Sequence, residues 1–313
     1  MLKYILRRAL YTIPIALGVS LVVFSLIHLA PGDPLSAVVG EADEKMLAEM
    51  RASFGYDKPL PVQYFLWLAN TVTGDMGYSL RSGAPVFPML ISAAISTITV
   101  GLVAALLGFL VGVTGGLLAG YNHGTWIDKA VSSAAIAGVS LPHYWLAIIL
   151  VVVFSVQLGW LPSIGAGSAE SFWSWEAWRH MVLPVIALAA IPGAIIARTA
   201  RAAVMEILSL EFVDALRARG LSERRIVWHV ARNALPTVLA VMGLQFAHLL
   251  GGSILVETVF TWPGTGRLLH LAIYDRDMPV LQGTIMLLAI FFVLTNLFVD
   301  ILQAWADPRI SRS

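Results

Sequence analysis

Cysteine is absent from this chain of 313 residues, and charged residues are scarce. Without thiols the chain can form no disulfide, hold no cysteine-ligated iron–sulfur cluster and perform no thiol chemistry. Charged residues make up 12% of the sequence and hydrophobic residues 58%. The charged fraction is about half of that in an ordinary soluble domain. A chain of this composition needs a lipid environment.

The signatures of several chemistries are also missing. The sequence contains no G-x-x-x-x-G-K-[ST] phosphate loop, no H-E-x-x-H metal motif, no G-x-S-x-G nucleophile motif and no carboxylate pair. No polar stretch is long enough to build a nucleotide-binding domain, and the one basic cluster is short and lies between two apolar stretches. We therefore predict no catalytic, cofactor or metal site in this chain and no nucleic-acid partner.

Six apolar stretches are long enough to cross a hydrocarbon layer, which takes about 20 helical residues. They predict an all-α membrane protein with six transmembrane helices. The fourth stretch is short, contains Pro184 and Pro192, and runs directly into Arg198 and Arg201. The predicted spans are Ala9–Ala30, Ile91–Gly120, Ala130–Leu158, Met181–Ala197, Leu235–Val256 and Val280–Gln303.

The distribution of basic residues predicts the orientation, since lysine and arginine near the ends of spans favour the cytoplasm. With the N-terminus inside, inner segments hold most of the 20 basic residues. We therefore predict both termini on the cytoplasmic side of a bacterial inner membrane. The first span follows Arg7 and Arg8, and Pro31–Pro34 stands where a signal peptide would have a cleavage site, so we expect this helix to be retained.

The predicted outer loop, residues 31–90, has the pattern of short helices rather than of a linker. Asp43 can cap an amphipathic helix, and Pro59 and Pro61 precede an aromatic-rich stretch, Tyr64–Leu68, which suits the headgroup layer. These helices either cover the membrane face or dock an external partner.

The predicted cytoplasmic loop, residues 198–235, is the most informative part of the sequence. It predicts a helix that ends near Arg219, a left-handed stop at Gly220, and a second helix capped by Ser222 before Pro236 opens the fifth span. Such a rigid cationic elbow can transmit a push between a soluble partner and two spans. An ordinary positively charged loop without a partner is the alternative. Five apolar residues predict a ridge suited to a partner's groove: Phe212, Leu216, Leu221, Ile226 and Trp228.

Asp214-Ala215-Leu216 followed by Gly220 resembles the EAA loop of permeases of ATP-binding-cassette importers, in which a glycine lies six positions after an acidic residue. Asp214 replaces the usual glutamate, and Leu216 replaces the second alanine. The later proline, Pro236, is shared with the dipeptide/oligopeptide branch. Seven further segments resemble that branch in the same order: His28–Pro34, Lys58–Tyr64, Gly74–Ser79, Val139–Pro142, Glu257–Gly264, Arg276–Asp277 and Asp307–Arg309.

The resemblance implies that the elbow is a coupling helix seated in a cleft of a cytoplasmic ATPase. It implies import of short peptides, although relatives carry nickel chelates, glutathione or other small solutes. The expected partners are a second similar permease, two ATPases that bind ATP and Mg²⁺, an extracytoplasmic solute-binding protein and membrane lipid. The candidate coupling residues are Phe212, Asp214, Ala215, Leu216, Gly220 and Leu221. The expected division is an N-terminal transmembrane helix (1–30), a periplasmic loop (31–90) and a core permease domain (91–313).

Polar groups inside spans are candidates for lining a path. Pro142 would bend the third span beside His143, and Gln245 and His248 share one face of the fifth. Glu257 completes the candidate set, although it lies near a span end and is expected to reach water, as are His28 and Asp300. Helix packing is the alternative for His143, Gln245 and His248, and Gly115–Gly116 and Gly251–Gly252 are predicted as close helix contacts.

Two other functions compete with a permease of this kind. A secondary transporter would need a membrane-buried carboxylate or cation site and two similar halves, but no internal repeat is visible and Glu257 is a poor lone candidate. A membrane enzyme would need clustered catalytic groups, which the sequence does not contain.

Overall fold

The computed structural model describes residues 2–29, 57–167 and 174–306. Within these ranges the chain is helical and has no strand, only an isolated bridge between Tyr78 and Pro85. Two compact units are present. The loop unit consists of Leu6–Thr97 and Pro263–Val293, and the elbow unit is built mainly of Ile98–Trp262 with the last helix from Leu294. The predicted helix after Asp43 lies outside the described residues, as do the surroundings of His28.

The described helices follow one another with short connections. They are α1 Leu2–Leu29, α2 Leu60–Thr73, α3 Val86–Tyr121, α4 Trp126–Ser140, α5 His143–Leu150, α6 Trp175–Leu208, α7 Glu211–Ala218, α8 Glu223–Gly252, α9 Ile254–Val259, α10 Thr265–Tyr274 and α11 Met278–Ala306. A π-helical segment, Val151–Gln157, continues α5.

Four single helices are long and apolar enough to cross a membrane, namely α3, α6, α8 and α11. A fifth candidate is the pair formed by α4 and α5 with its π-helical continuation. The described part of α1, Leu10–Ser25, is a shorter apolar helix. The described chain is therefore an all-helical membrane protein with four to five candidate spans.

The third predicted span, Ala130–Leu158, is wrong as a single helix. Its two halves, α4 and α5, are bent by 103° at Leu141 and Pro142. Both residues have extended backbone, with ψ of 123° and 137°. Proline lacks an N–H and pushes the residue before it out of the helical region, so α4 ends there.

Prolines at three other positions do not end their helices. Pro184 and Pro192 lie inside the 34-residue α6, which extends beyond the predicted Met181–Ala197 at both ends. Pro236, predicted to open the fifth span, lies inside α8, which begins at Glu223. Both α6 prolines are buried against neighbouring helices, which hold the helix together where a backbone hydrogen bond is missing.

Glycine at every fourth position lets α3 approach α6 closely. A Cβ at Gly112 would lie 2.6 Å from the carbonyl oxygen of Gly193, and one at Gly116 would lie 2.5 Å from that of Ala197. Gly108 and Gly120 make similar contacts farther along the same face. The close contact predicted at Gly116 is confirmed, whereas a Cβ at Gly115 would lie 3.5 Å from Val131 of α4, an ordinary distance.

The aromatic stretch of α2 packs on α1 inside the loop unit. The Tyr64 hydroxyl lies 2.8 Å from Ser20 Oγ. The Phe24 ring contacts Tyr64 edge-on at a centroid distance of 5.5 Å and Trp67 at 5.9 Å. These contacts anchor the aromatic stretch against a helix, a role that the predicted headgroup position did not include.

Asp277 joins two of the segments quoted above across the loop unit. Its carboxylate accepts hydrogen bonds from Ser79 Oγ at 2.5 Å and from the Leu80 N–H at 3.2 Å. Arg81 forms an ion pair with Asp275 beside it. The loop after α2 is therefore fixed to the turn before α11.

Candidate functional site

The elbow predicted between the fourth and fifth spans is present as α7 and the two turns that flank it. Helix α6 ends at Leu208 and α7 begins at Glu211, so the predicted first helix is interrupted near Ser209. At the other end Gly220 has a φ of 74°. The Gly220 N–H donates to the Arg217 carbonyl at 2.9 Å and the Leu221 N–H donates to the Leu216 carbonyl at 3.2 Å. The left-handed stop predicted at Gly220 is confirmed.

Ser222 occupies the position before α8, but its side chain makes no capping hydrogen bond. Its backbone carbonyl instead accepts from the N–H groups of Arg225 at 2.8 Å and Ile226 at 3.1 Å. The predicted start of the second helix is thus correct within this turn, and the predicted side-chain cap is wrong.

The inner face of the elbow is a compact apolar root. Val213 of α7 and Ile226 of α8 are fully buried against Val204 of α6. Leu216 and Leu221 are partly buried against the same cluster. The remaining buried members are Ala203, Val230 and Ala234. The root fixes α7 to both long helices.

The predicted apolar ridge is therefore wrong for three of its five members. Ile226 is fully buried, and Leu216 and Leu221 face the root, because helical periodicity divides neighbouring positions between two faces. Phe212 and Trp228 remain on the outside, with 38% and 66% of their surface exposed.

The outer face of the elbow carries the charged groups. The Asp214 side chain is 79% exposed, and Ala215 and Gly220 are exposed as well. Arg217 lies 3.3 Å from Glu223 and 3.5 Å from Asp214. Of the six candidate coupling residues, Phe212, Asp214, Ala215 and Gly220 face outward, and Leu216 and Leu221 shape the root. This face can offer a protein partner one aromatic ring amid exposed charge.

An ion pair near the elbow was not predicted. Asp128, in the first turn of α4, is 4% exposed and accepts hydrogen bonds from Arg201 Nε at 2.5 Å and Arg201 Nη2 at 3.0 Å. The Gly124 N–H and Ser132 Oγ donate to the same carboxylate at 3.0 and 3.1 Å, and His123 Nδ1 lies 3.1 Å away. A lone aspartate at the start of an apolar helix was the available signal, but sequence alone does not name its partner.

The candidate path-lining residues occupy different environments. Pro142 is exposed and His143 partly buried at the start of α5. Gln245 is partly buried in α8, whereas His248 is exposed and has Nδ1 2.9 Å from the Leu244 carbonyl oxygen. The predicted shared face of Gln245 and His248 thus divides into a more buried and a more exposed position.

Glu257 does not reach water, contrary to prediction. It is 1% exposed in α9 and accepts a hydrogen bond from Ser253 Oγ at 2.8 Å. The fifth predicted span, Leu235–Val256, is broken at Ser253, so α9 turns into the elbow unit. Helix α9 packs against α5, which places Glu257 and His143 on neighbouring elements. The signal that sequence reasoning missed is a serine four residues before the carboxylate.

Two family models together match almost the whole chain. The model for the inner membrane component of binding-protein-dependent transport systems matches residues 112–312. The model for the N-terminal part of such membrane components matches residues 1–101.

Similar proteins of full length are known. A dipeptide transport system permease protein from Alkalihalophilus pseudofirmus is 38% identical, with 99% of each chain covered. A glutathione transport system permease protein from Escherichia coli K12 is 39% identical, again with 99% of each chain covered.

Solved structures of transporters share the fold. The MetNI methionine ABC transporter in an inward-facing conformation matches with a TM-score of 0.57 and 22% identity, over 70% of this chain and 96% of that chain. An amino acid ABC transporter crystallised with histidines matches with a TM-score of 0.54 and 21% identity, over 71% of this chain and 94% of that chain.

Proposed function

Since this chain belongs to the family of inner membrane components of binding-protein-dependent transport systems, we propose that it imports short peptides or a related small solute. It is an ABC importer permease and a multi-pass protein of the cytoplasmic membrane. Dipeptide and glutathione permeases that match it along their whole length support a short peptide or a peptide-like thiol as the solute.

We propose six spans with both termini in the cytoplasm. The four long helices, the bent pair α4–α5 and the apolar helix α1 would supply them. In this arrangement the elbow lies in the cytoplasm, and the loop fixed by Asp277 lies in the periplasm beside the extracytoplasmic solute-binding protein. The excess of basic residues in the inner segments supports this orientation.

The observation that carries the proposal is the division of the elbow into a buried root and an exposed outer face. Val213 and Ile226 lock α7 onto α6 and α8, so α7 cannot move without them. Phe212, Asp214 and Ala215 remain free to enter a cleft on a cytoplasmic ATPase. Closure of that ATPase on ATP would then displace α6 and α8 together and switch the path between outward-open and inward-open states.

The partners follow from this mechanism. Two ATPase subunits would bind ATP and Mg²⁺, and a second, similar permease would complete the translocation path, which six helices alone rarely enclose. The external binding protein would carry out much of the solute selection.

Purification of the tagged chain from native membranes tests the elbow directly. A soluble ATPase should co-purify with the wild-type chain, whereas Asp214→Lys should insert normally but lose both the ATPase and ATP-driven import. Reversal of this exposed charge changes the outer face without touching the root. Glu206→Lys is the matched control, because it makes the same charge change at an exposed position on α6. Full import by the Asp214→Lys variant would contradict the elbow assignment.

One observation favours a second candidate, an ion-coupled secondary transporter. Glu257 is a buried carboxylate, the kind of group that such a transporter needs. Liposomes that contain only this polypeptide separate the two functions. Solute uptake driven by an ion gradient, with no ATPase present, would overturn the importer proposal.

A further inference from the structure

Asp128 and Arg201 connect α4 to the helix that supports the elbow. Arg201 lies seven residues before Leu208, where α6 ends. At a rise of about 1.5 Å per residue, this is roughly 10 Å along the helix. Between the pair and the elbow, Val204 of α6 belongs to the apolar root with Val213 of α7. The pair is therefore anchored to the part of α6 that must follow any displacement of the elbow.

Beyond this pair, small apolar residues make the contact between α4 and α6. Ala135 of α4 is buried with Ala194 and Ala197 of α6. A Cβ at Gly138 would lie 3.1 Å from the Cβ of Ala194. Such smooth surfaces permit close approach but define the register between two helices weakly. A bidentate pair of charges has a fixed geometry, so it sets the register that the small residues leave loose.

Helix α4 links the pair to the break in the third span. The helix continues from Asp128 to Ser140, after which the chain bends by 103° into α5. Pro142 and His143, two of the candidate path-lining residues, lie at this bend. Because α4 is a continuous helix, a displacement at its first turn is carried to its last.

We infer that Asp128 and Arg201 are positioning residues for transport, and that their ion pair transmits displacement of the elbow along α4 to the bend at Pro142. This inference rests on the proposed function. It adds a second route into the membrane beside α6 and α8. It also assigns a role to a buried charged pair that apolar packing alone would not require.

The test uses the complete transporter, with the second permease, the ATPases and the binding protein, in liposomes. The probes are radiolabelled dialanine and radiolabelled glutathione, and the readout is solute imported per ATP hydrolysed. Asp128→Asn or Arg201→Gln leaves one charge unpaired in a largely buried site and should lower the thermal midpoint. Each should also lower import per ATP by roughly tenfold, within the usual range for coupling between sites.

The double variant Asp128→Asn with Arg201→Gln separates positioning from stability. It removes both charges, so the thermal midpoint should recover, but the neutral side chains cannot restore the fixed register and import per ATP should stay low. ATP hydrolysis should persist in all three variants, because the outer face of the elbow is unchanged.

A matched control is the exposed pair Arg81 and Asp275 in the loop unit. Arg81→Gln with Asp275→Asn removes the same two charges and should keep wild-type import per ATP. Recovery of import together with stability in the Asp128→Asn, Arg201→Gln variant would reduce the buried pair to a structural role and overturn the inference alone. Failure of the wild-type assembly to import either probe with ATP would overturn the proposed function and this inference with it.

Discussion

At the scale of single residues, Gly220 shows why a backbone conformation can require glycine without any crowding. Its φ is 74°, and a Cβ at this position would meet no atom within 4 Å. A side chain with a Cβ costs about 1–2 kcal/mol in this left-handed region. Its N–H also donates to the Arg217 carbonyl. The turn that reverses the chain after α7 therefore depends on the dihedral freedom of this residue.

Gly220→Pro should leave membrane insertion intact and abolish ATP-driven import. Proline holds φ near −65° and has no N–H, so the turn after α7 must rearrange and move the outer face. The measurements are the amount of chain in the membrane and the rate of import by the reconstituted transporter.

Gly83→Pro is the matched control for this variant. Gly83 has a φ of 68°, open space around a Cβ, and an N–H that donates to the Ser79 carbonyl at 2.9 Å. The backbone penalty is thus similar, but the position lies in the loop unit. Equal loss of import in both variants would show that the effect is not specific to the elbow.

At the scale of helices, the glycines at positions 108, 112, 116 and 120 explain how α3 and α6 lie in close contact. Four-residue spacing places all four on one face of α3. Lipid provides no hydrophobic drive for helix association, so close backbone approach and van der Waals contact must stabilise the pair. The contact extends to Arg201 and Val204, beside the elbow's root.

Gly116→Ala should destabilise the purified protein, and Gly115→Ala should not. A Cβ at Gly116 would lie 2.5 Å from the Ala197 carbonyl oxygen and 2.6 Å from the Cβ of Ala200, so backbone must move. Overpacking of this kind costs about 1–3 kcal/mol. Thermal unfolding in detergent measures the difference. The adjacent Gly115 is a control of identical chemistry, and equal midpoints for the two variants would refute the close contact.

At the scale of the whole molecule, the absence of cysteine makes the proposed orientation directly measurable. A single cysteine introduced anywhere is the only thiol in the chain. Ser222 at the elbow and Ser82 in the loop unit are both exposed, and serine to cysteine changes the side chain little.

A membrane-impermeant maleimide should label Ser82→Cys in intact spheroplasts and Ser222→Cys only in inside-out vesicles. This follows from a cytoplasmic elbow and a periplasmic loop after α2. Import by both variants should match the wild-type chain before labelling. Labelling of Ser222→Cys from the outside would exclude contact between the elbow and a cytoplasmic ATPase.

Local patterns carried the predictions that were confirmed. Long apolar runs predicted the positions of α3, α6, α8 and α11, since burial of such runs in lipid does not depend on their neighbours. The stop at Gly220 was also predictable, because a left-handed turn is a property of one residue and its immediate hydrogen bonds. The course of the chain past Pro184, Pro192 and Pro236 was not predictable, because neighbouring helices decide whether a proline ends a helix.

The amino-acid sequence by itself determined that this protein is helical, belongs in lipid and presents a charged elbow between two long helices, since composition and periodicity are local quantities. Only the tertiary structure decided that Ile226 faces inward, that Glu257 is buried beside Ser253, and that Asp128 pairs with Arg201, 73 residues later. The physical reason is that burial and pairing depend on which helix faces lie against each other, and that choice is made by packing of the whole unit.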